Sequence, residues 1–212
     1  MLQLGSFVRG IVSNTVLLCH MDGANNSTTF IDSSTLNATI TPVGNAKIST
    51  SASMFGGTSA QFDGADDGLS IPLAGGLGAG DFTIEMWIRP AVLSGFRTLF
   101  MASSSYGFGL TGASAAWWSN GSPYCTTAAM AAYTWHHVAC TRSLGVLRTF
   151  LNGTVSGSTF SSAFDLNFNT WYVGCLSDLS RDFSGFIDEL RITRGVALYT
   201  TNFAVPTAPF TN

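Results

Sequence analysis

Apolar and polar residues alternate along short runs, and the runs end at Gly, Asn, Asp or Ser. The clearest is Phe82-Thr83-Ile84-Glu85-Met86-Trp87-Ile88-Arg89, stopped by Pro90. A period of two places Phe82, Ile84, Met86 and Ile88 on one face and Thr83, Glu85, Trp87 and Arg89 on the other. Similar runs predict strands over 16–21, 59–62, 69–71, 98–101, 106–110, 115–119, 136–142, 146–151, 154–155, 171–175 and 185–193. Asn120-Gly121 and Asn152-Gly153 follow two of these runs and read as hairpin turns. No stretch carries the 3.6-residue period of an amphipathic helix. About a dozen short strands with no helix-length segment between them predict an all-β fold, a two-sheet antiparallel sandwich or a barrel. Residues 1–14 and 194–212 lie outside the periodic part and read as extended arms flanking a domain over 15–193. An arm of this kind can pair with a sheet edge of its own domain or of a neighbour.

Composition sharpens this picture. Of 212 residues, 46% are hydrophobic and 10% charged, with one lysine, eight arginines, ten Asp, two Glu and a net charge of −3. Polarity comes instead from 25 Ser, 24 Thr, 11 Asn and 23 Gly. The chain is too apolar for disorder and too poor in charge for a coiled coil. It lacks the basic footprint of a nucleic-acid binder and the run of about 20 apolar residues that spans a membrane. The N-terminus lacks the features of a secretory signal, so synthesis and accumulation in a cytoplasm are expected. Cys19, Cys125, Cys140 and Cys175 form no C-x-x-C pair and read as small buried hydrophobes, with a disulfide left open. Glycosylation sequons begin at Asn25, Asn26, Asn37, Asn120 and Asn152, and these are read as turn residues.

Six segments, in order, resemble the laminin-G-like jelly-roll module of the concanavalin A-like lectin/glucanase superfamily. They are Leu17–Gly23, Phe55–Gly64, Asp81–Pro90, Trp135–Ala139, Phe150–Gly153 and Gly185–Ile192. The resemblance implies a two-sheet antiparallel jelly-roll sandwich. It also implies a role in binding glycans or proteins, often with calcium. The ending Arg191–Tyr199, Asn202-Phe203 and Pro206–Phe210 resembles the end of such modules in bacteriophage virion proteins. That similarity implies a virion surface or structural protein, made in the host cytoplasm. It would act as a capsid decoration or tail-associated component whose partners are other virion proteins or copies of itself. A lectin-like adhesin for cell-surface glycans is the alternative.

Candidate chemistry is sparse. Glucanases of the superfamily carry an E-x-D-x-x-E-like strand motif, and retaining hydrolysis needs two carboxylates about 5 Å apart. Here Glu85 and Glu189 lie more than 100 residues apart and outside such a motif. Adjacent Asp188 and Glu189 are expected on opposite faces of a strand. No enzymatic activity is expected, and His20, His136 and His137 read as hydrogen-bonded residues in or near the core. Asp63, Asp66 and Asp67 in one turn are the candidate calcium ligands; the alternative is that these Asp-Gly pairs only make turns. Trp117, Trp118, Asn120 and Tyr124 are the candidate ligand site. Adjacent tryptophans must point to opposite faces, so one can pack inside while the other stacks on a sugar. The alternative is that both pack against protein.

Overall fold

The computed structural model describes residues 14–212, so the arm expected over 1–14 lies outside the described residues except for Asn14. Sixteen strands follow in chain order. They are β1 (Thr15–Cys19), β2 (Thr41–Val43), β3 (Lys47–Ser49), β4 (Ser59–Asp63), β5 (Gly68–Pro72), β6 (Phe82–Pro90), β7 (Phe96–Ser103) and β8 (Tyr106–Thr111). The rest are β9 (Ser114–Ser119), β10 (Ser122–Tyr124), β11 (His136–Ser143), β12 (Val146–Leu151), β13 (Thr154–Val155), β14 (Phe160–Ser161), β15 (Thr170–Val173) and β16 (Ser184–Arg194). All pair antiparallel in two sheets. The first runs β13-β12-β11-β6-β16-β4-β3, with β1 also on β16 and β14 on β12; the second runs β10-β9-β8-β7-β15-β5-β2. The described residues contain no helix, and hence none long and apolar enough to cross a membrane. The expected all-β sandwich is the observed fold.

The alternation in β6 does what its pattern dictates. Phe82, Ile84, Met86 and Ile88 enter a core shared with Leu69, Ile71, Leu99, Phe108, Trp117 and Trp171 of the facing sheet. Phe82 meets Trp117 across the interface, with ring centroids 5.7 Å apart. The Asn-Gly turns hold as well. Asn120, Gly121, Asn152 and Gly153 all have positive φ (49°, 73°, 49° and 75°), the geometry of type I′ hairpins. Asn26 and Asn37 are also left-handed, so four of the five sequon asparagines occupy positions that a turn requires. All four cysteines are free and buried.

The outer face of the first sheet is not open to solvent. Thr83, Glu85 and Trp87 on β6 are all buried. Residues 196–212 cross this face. Leu198 N donates to Thr83 Oγ1 (2.8 Å), Thr141 Oγ1 donates to Tyr199 O (2.9 Å), and Phe203 N donates to Gly153 O (2.9 Å). Phe210 and Val205 pack with Leu18, Trp87 and Phe55 in a second apolar cluster. Gly153 permits the crossing, since a Cβ there would fall on the Phe203 carbonyl oxygen.

Candidate functional site

Three regions bear on function. The first is the hairpin β9–β10. Trp117 and Trp118 do point to opposite faces, but neither presents a ring to solvent. Trp117 is in the core, 1% exposed. Trp118, on the outer face, is 8% exposed because Phe96 stacks on it at 3.9 Å and Leu176 and Met101 complete its cover. Arg181 then lies over Phe96 at 5.2 Å. Of the two readings, the one in which both tryptophans pack against protein holds, and no sugar platform forms at them; the physical reason for Trp118 is cover from β7 and the 176–181 loop. Tyr124 is exposed but stacks on Phe160 (4.0 Å), joining edge strands of the two sheets. Asn120 is exposed, and its Oδ1 accepts a hydrogen bond from the Tyr106 hydroxyl.

That bond places Asn120 beside rings that the strand pattern did not single out. Tyr106 lies flat on Phe164, with centroids 4.5 Å apart and an interplanar angle of 3°. Phe168 closes on Tyr106 at 5.8 Å and meets Trp171 edge-on at 6.0 Å. The available signal was the alternation Phe164-Asp165-Leu166-Asn167-Phe168, five residues of period two with an aromatic ring at each end.

The second region is the β4–β5 turn. Asp67 is buried; its Oδ1 accepts Asn45 N (2.7 Å) and its Oδ2 accepts Asp63 N (2.8 Å). Asp63 Oδ1 in turn accepts Ala65 N (2.8 Å). Burial raises the Asp67 carboxyl above its ordinary value, and the two backbone donors work against that rise. Asp66 is exposed with φ 63° and does not join the other two. Calcium takes six to eight oxygens. Here each oxygen of the inner carboxylate accepts one backbone N–H, the arrangement of a braced turn. Among the described residues no group of three or more His, Cys, Asp or Glu is placed to hold a metal ion.

The third region is the polar layer beneath residues 196–212. Arg191 donates through Nε (2.9 Å) and Nη2 (2.6 Å) to Glu85 Oε1. His137 Nε2 (3.2 Å) and the Tyr199 hydroxyl (2.9 Å) donate to Glu85 Oε2. Burial alone would raise Glu85, but the His137 hydrogen bond and the Arg191 charge outweigh it and hold the carboxyl below its ordinary value. Burial and the Glu85 charge push the Tyr199 hydroxyl far up. Close by, His20 Nδ1 (2.9 Å) and Phe210 N (2.7 Å) donate to Glu189.

The expectation that Asp188 and Glu189 face opposite ways is overturned by a β-bulge. Asp188 pairs Trp87 and Arg191 pairs Glu85, so Glu189 and Leu190 together oppose Met86. Glu189 takes φ 52°, Leu190 keeps the core position, and both carboxylates lie on the outer face. Asp188 Oδ2 accepts Met54 N (2.8 Å) and Phe55 N (3.1 Å) there, while its Oδ1 has no partner. All three histidines are hydrogen-bonded, with His136 Nε2 on Ala131 O at 3.0 Å.

The family model of the laminin G type within the concanavalin A-like lectin/glucanase superfamily matches residues 63–198. The chain belongs to this family. Solved structures agree on the laminin-G-like fold. Domain 4 of AbnA, an extracellular arabinanase of Geobacillus stearothermophilus solved with arabinotriose, aligns at 20% identity and a TM-score of 0.64, over 86% of this chain and 93% of that one. The receptor-binding domain of botulinum neurotoxin type G aligns at 16% identity and a TM-score of 0.61, over 87% of this chain and 49% of that one. Trypanosoma rangeli sialidase in complex with sialic acid aligns at 15% identity and a TM-score of 0.63, over 87% of this chain but 31% of that one. At these identities the likeness is one of fold. Against the curated proteins, no sequence match is found.

Proposed function

We propose that this chain is a non-enzymatic recognition module of lectin type that binds carbohydrate as a surface component of a bacteriophage virion. The observation that carries the non-enzymatic reading is the fate of the two glutamates. Glu85 is fully buried and held by Arg191, His137 and Tyr199; Glu189 is 1% exposed and held by His20 and the backbone of Phe210. Neither reaches a glycosidic bond in solvent, whereas glycoside hydrolysis needs two carboxylates flanking it. Carbohydrate binding is supported by the family and by relatives in fold such as the arabinanase domain solved with arabinotriose. The virion setting rests on the likeness of residues 191–210 to the endings of such modules in phage proteins. In that setting the protein is made in the host cytoplasm and meets other virion proteins or copies of itself.

Two measurements test the reading. A glycan array probed with the purified chain is expected to give reproducible binding without release of reducing sugar. Mass spectrometry of purified phage particles is expected to find the chain. Measured hydrolysis of a bound glycan would overturn the non-enzymatic reading, and its loss in Glu85→Gln or Glu189→Gln would assign it to these carboxylates. Absence from particles would remove the virion setting.

A further inference from the structure

We propose that the ring plate of Phe164 and Tyr106, with Asn120 at its edge, is a binding site for a neutral oligosaccharide. The proposal rests on the carbohydrate-binding reading above and gives it a place. Phe164 is 43% exposed with one face flat on Tyr106 and Phe168 at 6.3 Å, and the proposal assigns the sugar to its opposite face. Behind it the rings continue inward through Phe168 to Trp171, which stacks on Phe100 at 4.8 Å in the core.

The plate is held in place by its backbone. Arg142, itself fully buried, donates to Phe164 O (2.8 Å) and also to the carbonyls of Gly78 and Gly80. Leu77 N donates to Leu166 O (3.0 Å), and Trp171 Nε1 donates to Phe168 O (2.9 Å). Alternate carbonyls of the segment, at 164, 166 and 168, are thus each fixed from the sandwich. A rigid aromatic face loses little conformational freedom on binding.

Sugar rings offer an apolar C–H face and a rim of hydroxyls, and sites that hold them pair an apolar wall with a few placed polar groups. The polar group here is Asn120. Its Oδ1 is taken by Tyr106, and its Nδ2 makes no hydrogen bond to the described residues, leaving two donors at the edge of the plate. The β7–β8 turn adjoins it, since Gly121 N donates to Ser105 O, and brings Ser103 and Ser105 alongside. Asn120 sits level with Tyr106, one ring layer behind the open face of Phe164. An occupant that uses both needs at least two sugar residues. A neutral ligand is indicated because Arg142 is fully buried with Nε, Nη1 and Nη2 each on a backbone carbonyl, and the charged residue next to Phe164 is the exposed anion Asp165.

The test is calorimetric titration of the full chain with arabinotriose, cellotriose, maltotriose and tri-N-acetylchitotriose, with sialyllactose as the acidic probe. At least one neutral trisaccharide is expected to bind. Phe164→Leu keeps an apolar cover on Tyr106, so its melting temperature should stay put while affinity falls at least tenfold. Phe164→Trp should retain binding, and Asn120→Ala should weaken it three- to tenfold. Neutral binding unchanged in Phe164→Leu overturns this site and leaves the carbohydrate-binding reading standing. Binding of sialyllactose alone overturns the neutral assignment. No binding across the panel and on a broad array overturns both.

Discussion

Asp188 illustrates how one carboxyl carries both a structural duty and a cost. Its Oδ2 ties the backbone of Met54 and Phe55 to β16, but its Oδ1 is buried without a partner. Burial first, then the neighbouring Glu189 charge, push the carboxyl up to about 7, against the pull of the two backbone donors. Between the ordinary value near 4 and that figure, the folded chain keeps a proton that the unfolded chain has released. Stability therefore falls as pH rises through this window, by on the order of 2–4 kcal/mol in all. Glu85 works with the opposite sign: its carboxyl is held down, so its contribution is present above about pH 4 and is lost as pH falls further. Asp188→Asn is expected to flatten the loss between pH 4 and 7 and raise the melting temperature at pH 8, leaving the acid limb intact. An unchanged pH profile in that variant would count against the assignment. Leu144 offers a second case. It sits at φ 50° in the β11–β12 turn, 91% exposed, before Gly145 at φ 78°. Asn tolerates this conformation better than Leu, so Leu144→Asn should stabilise the chain by about 0.5–1 kcal/mol in a urea titration.

Residues 196–212 behave as a structural element although they form no strand. They are held by Phe203 on Gly153, by Arg191 Nη1 on Thr211 O (2.8 Å) and by the Arg191 guanidinium over the Phe210 ring at 4.7 Å. Arg191 therefore anchors both the segment and the buried Glu85 charge. Arg191→Ala leaves that charge with only His137 and Tyr199, and should cost roughly 3–5 kcal/mol, read from the midpoint of urea unfolding. Arg191→Lys should recover part of it, because one ammonium cannot reproduce the forked contact. The strands that matter most were readable from the alternation in Phe82–Arg89 and the Asn-Gly turns. Strands β2, β3, β10 and β14 were not, because two or three residues at a sheet edge carry no period. The Glu189 bulge was hidden for a different reason. Nothing in Asp188-Glu189-Leu190 breaks a strand pattern, and the inserted residue is specified by pairing with β6 and by His20 and Phe210, far away in sequence. The choice between an open and a covered Trp118 was hidden for the same cause, since its cover arrives from Phe96 and Leu176. Asn120 was picked out, but for a partnership with tryptophans rather than with Tyr106 and Phe164.

The whole molecule explains how a chain with 10% charged residues keeps its 46% of hydrophobic ones. Besides the layer between the sheets, apolar residues fill a second layer under Phe210 and Val205 and a third around Trp118. Surplus apolar area thus goes to the outer faces of both sheets, and the exposed large hydrophobics that remain include Leu144, Tyr133 and Ile31. Charge contributes to stability mainly through pairs sealed from solvent. The Arg191–Glu85 ion pair and the His137–Glu85 hydrogen bond have side chains at most 15% exposed, and the His20–Glu189 hydrogen bond is open only on the histidine side. At 0.1 M, salt largely screens exposed charges more than about 10 Å apart and reaches buried pairs far less. Raising NaCl from about 20 to 500 mM should accordingly shift the melting temperature by less than about 3 °C, the equivalent of roughly 1 kcal/mol for a domain of this size. Sodium sulfate strengthens apolar burial through exclusion from the surface, so it should raise the melting temperature where NaCl does not. A large response to NaCl that sulfate merely matches would mean that surface charge, rather than the three apolar layers, holds this fold together.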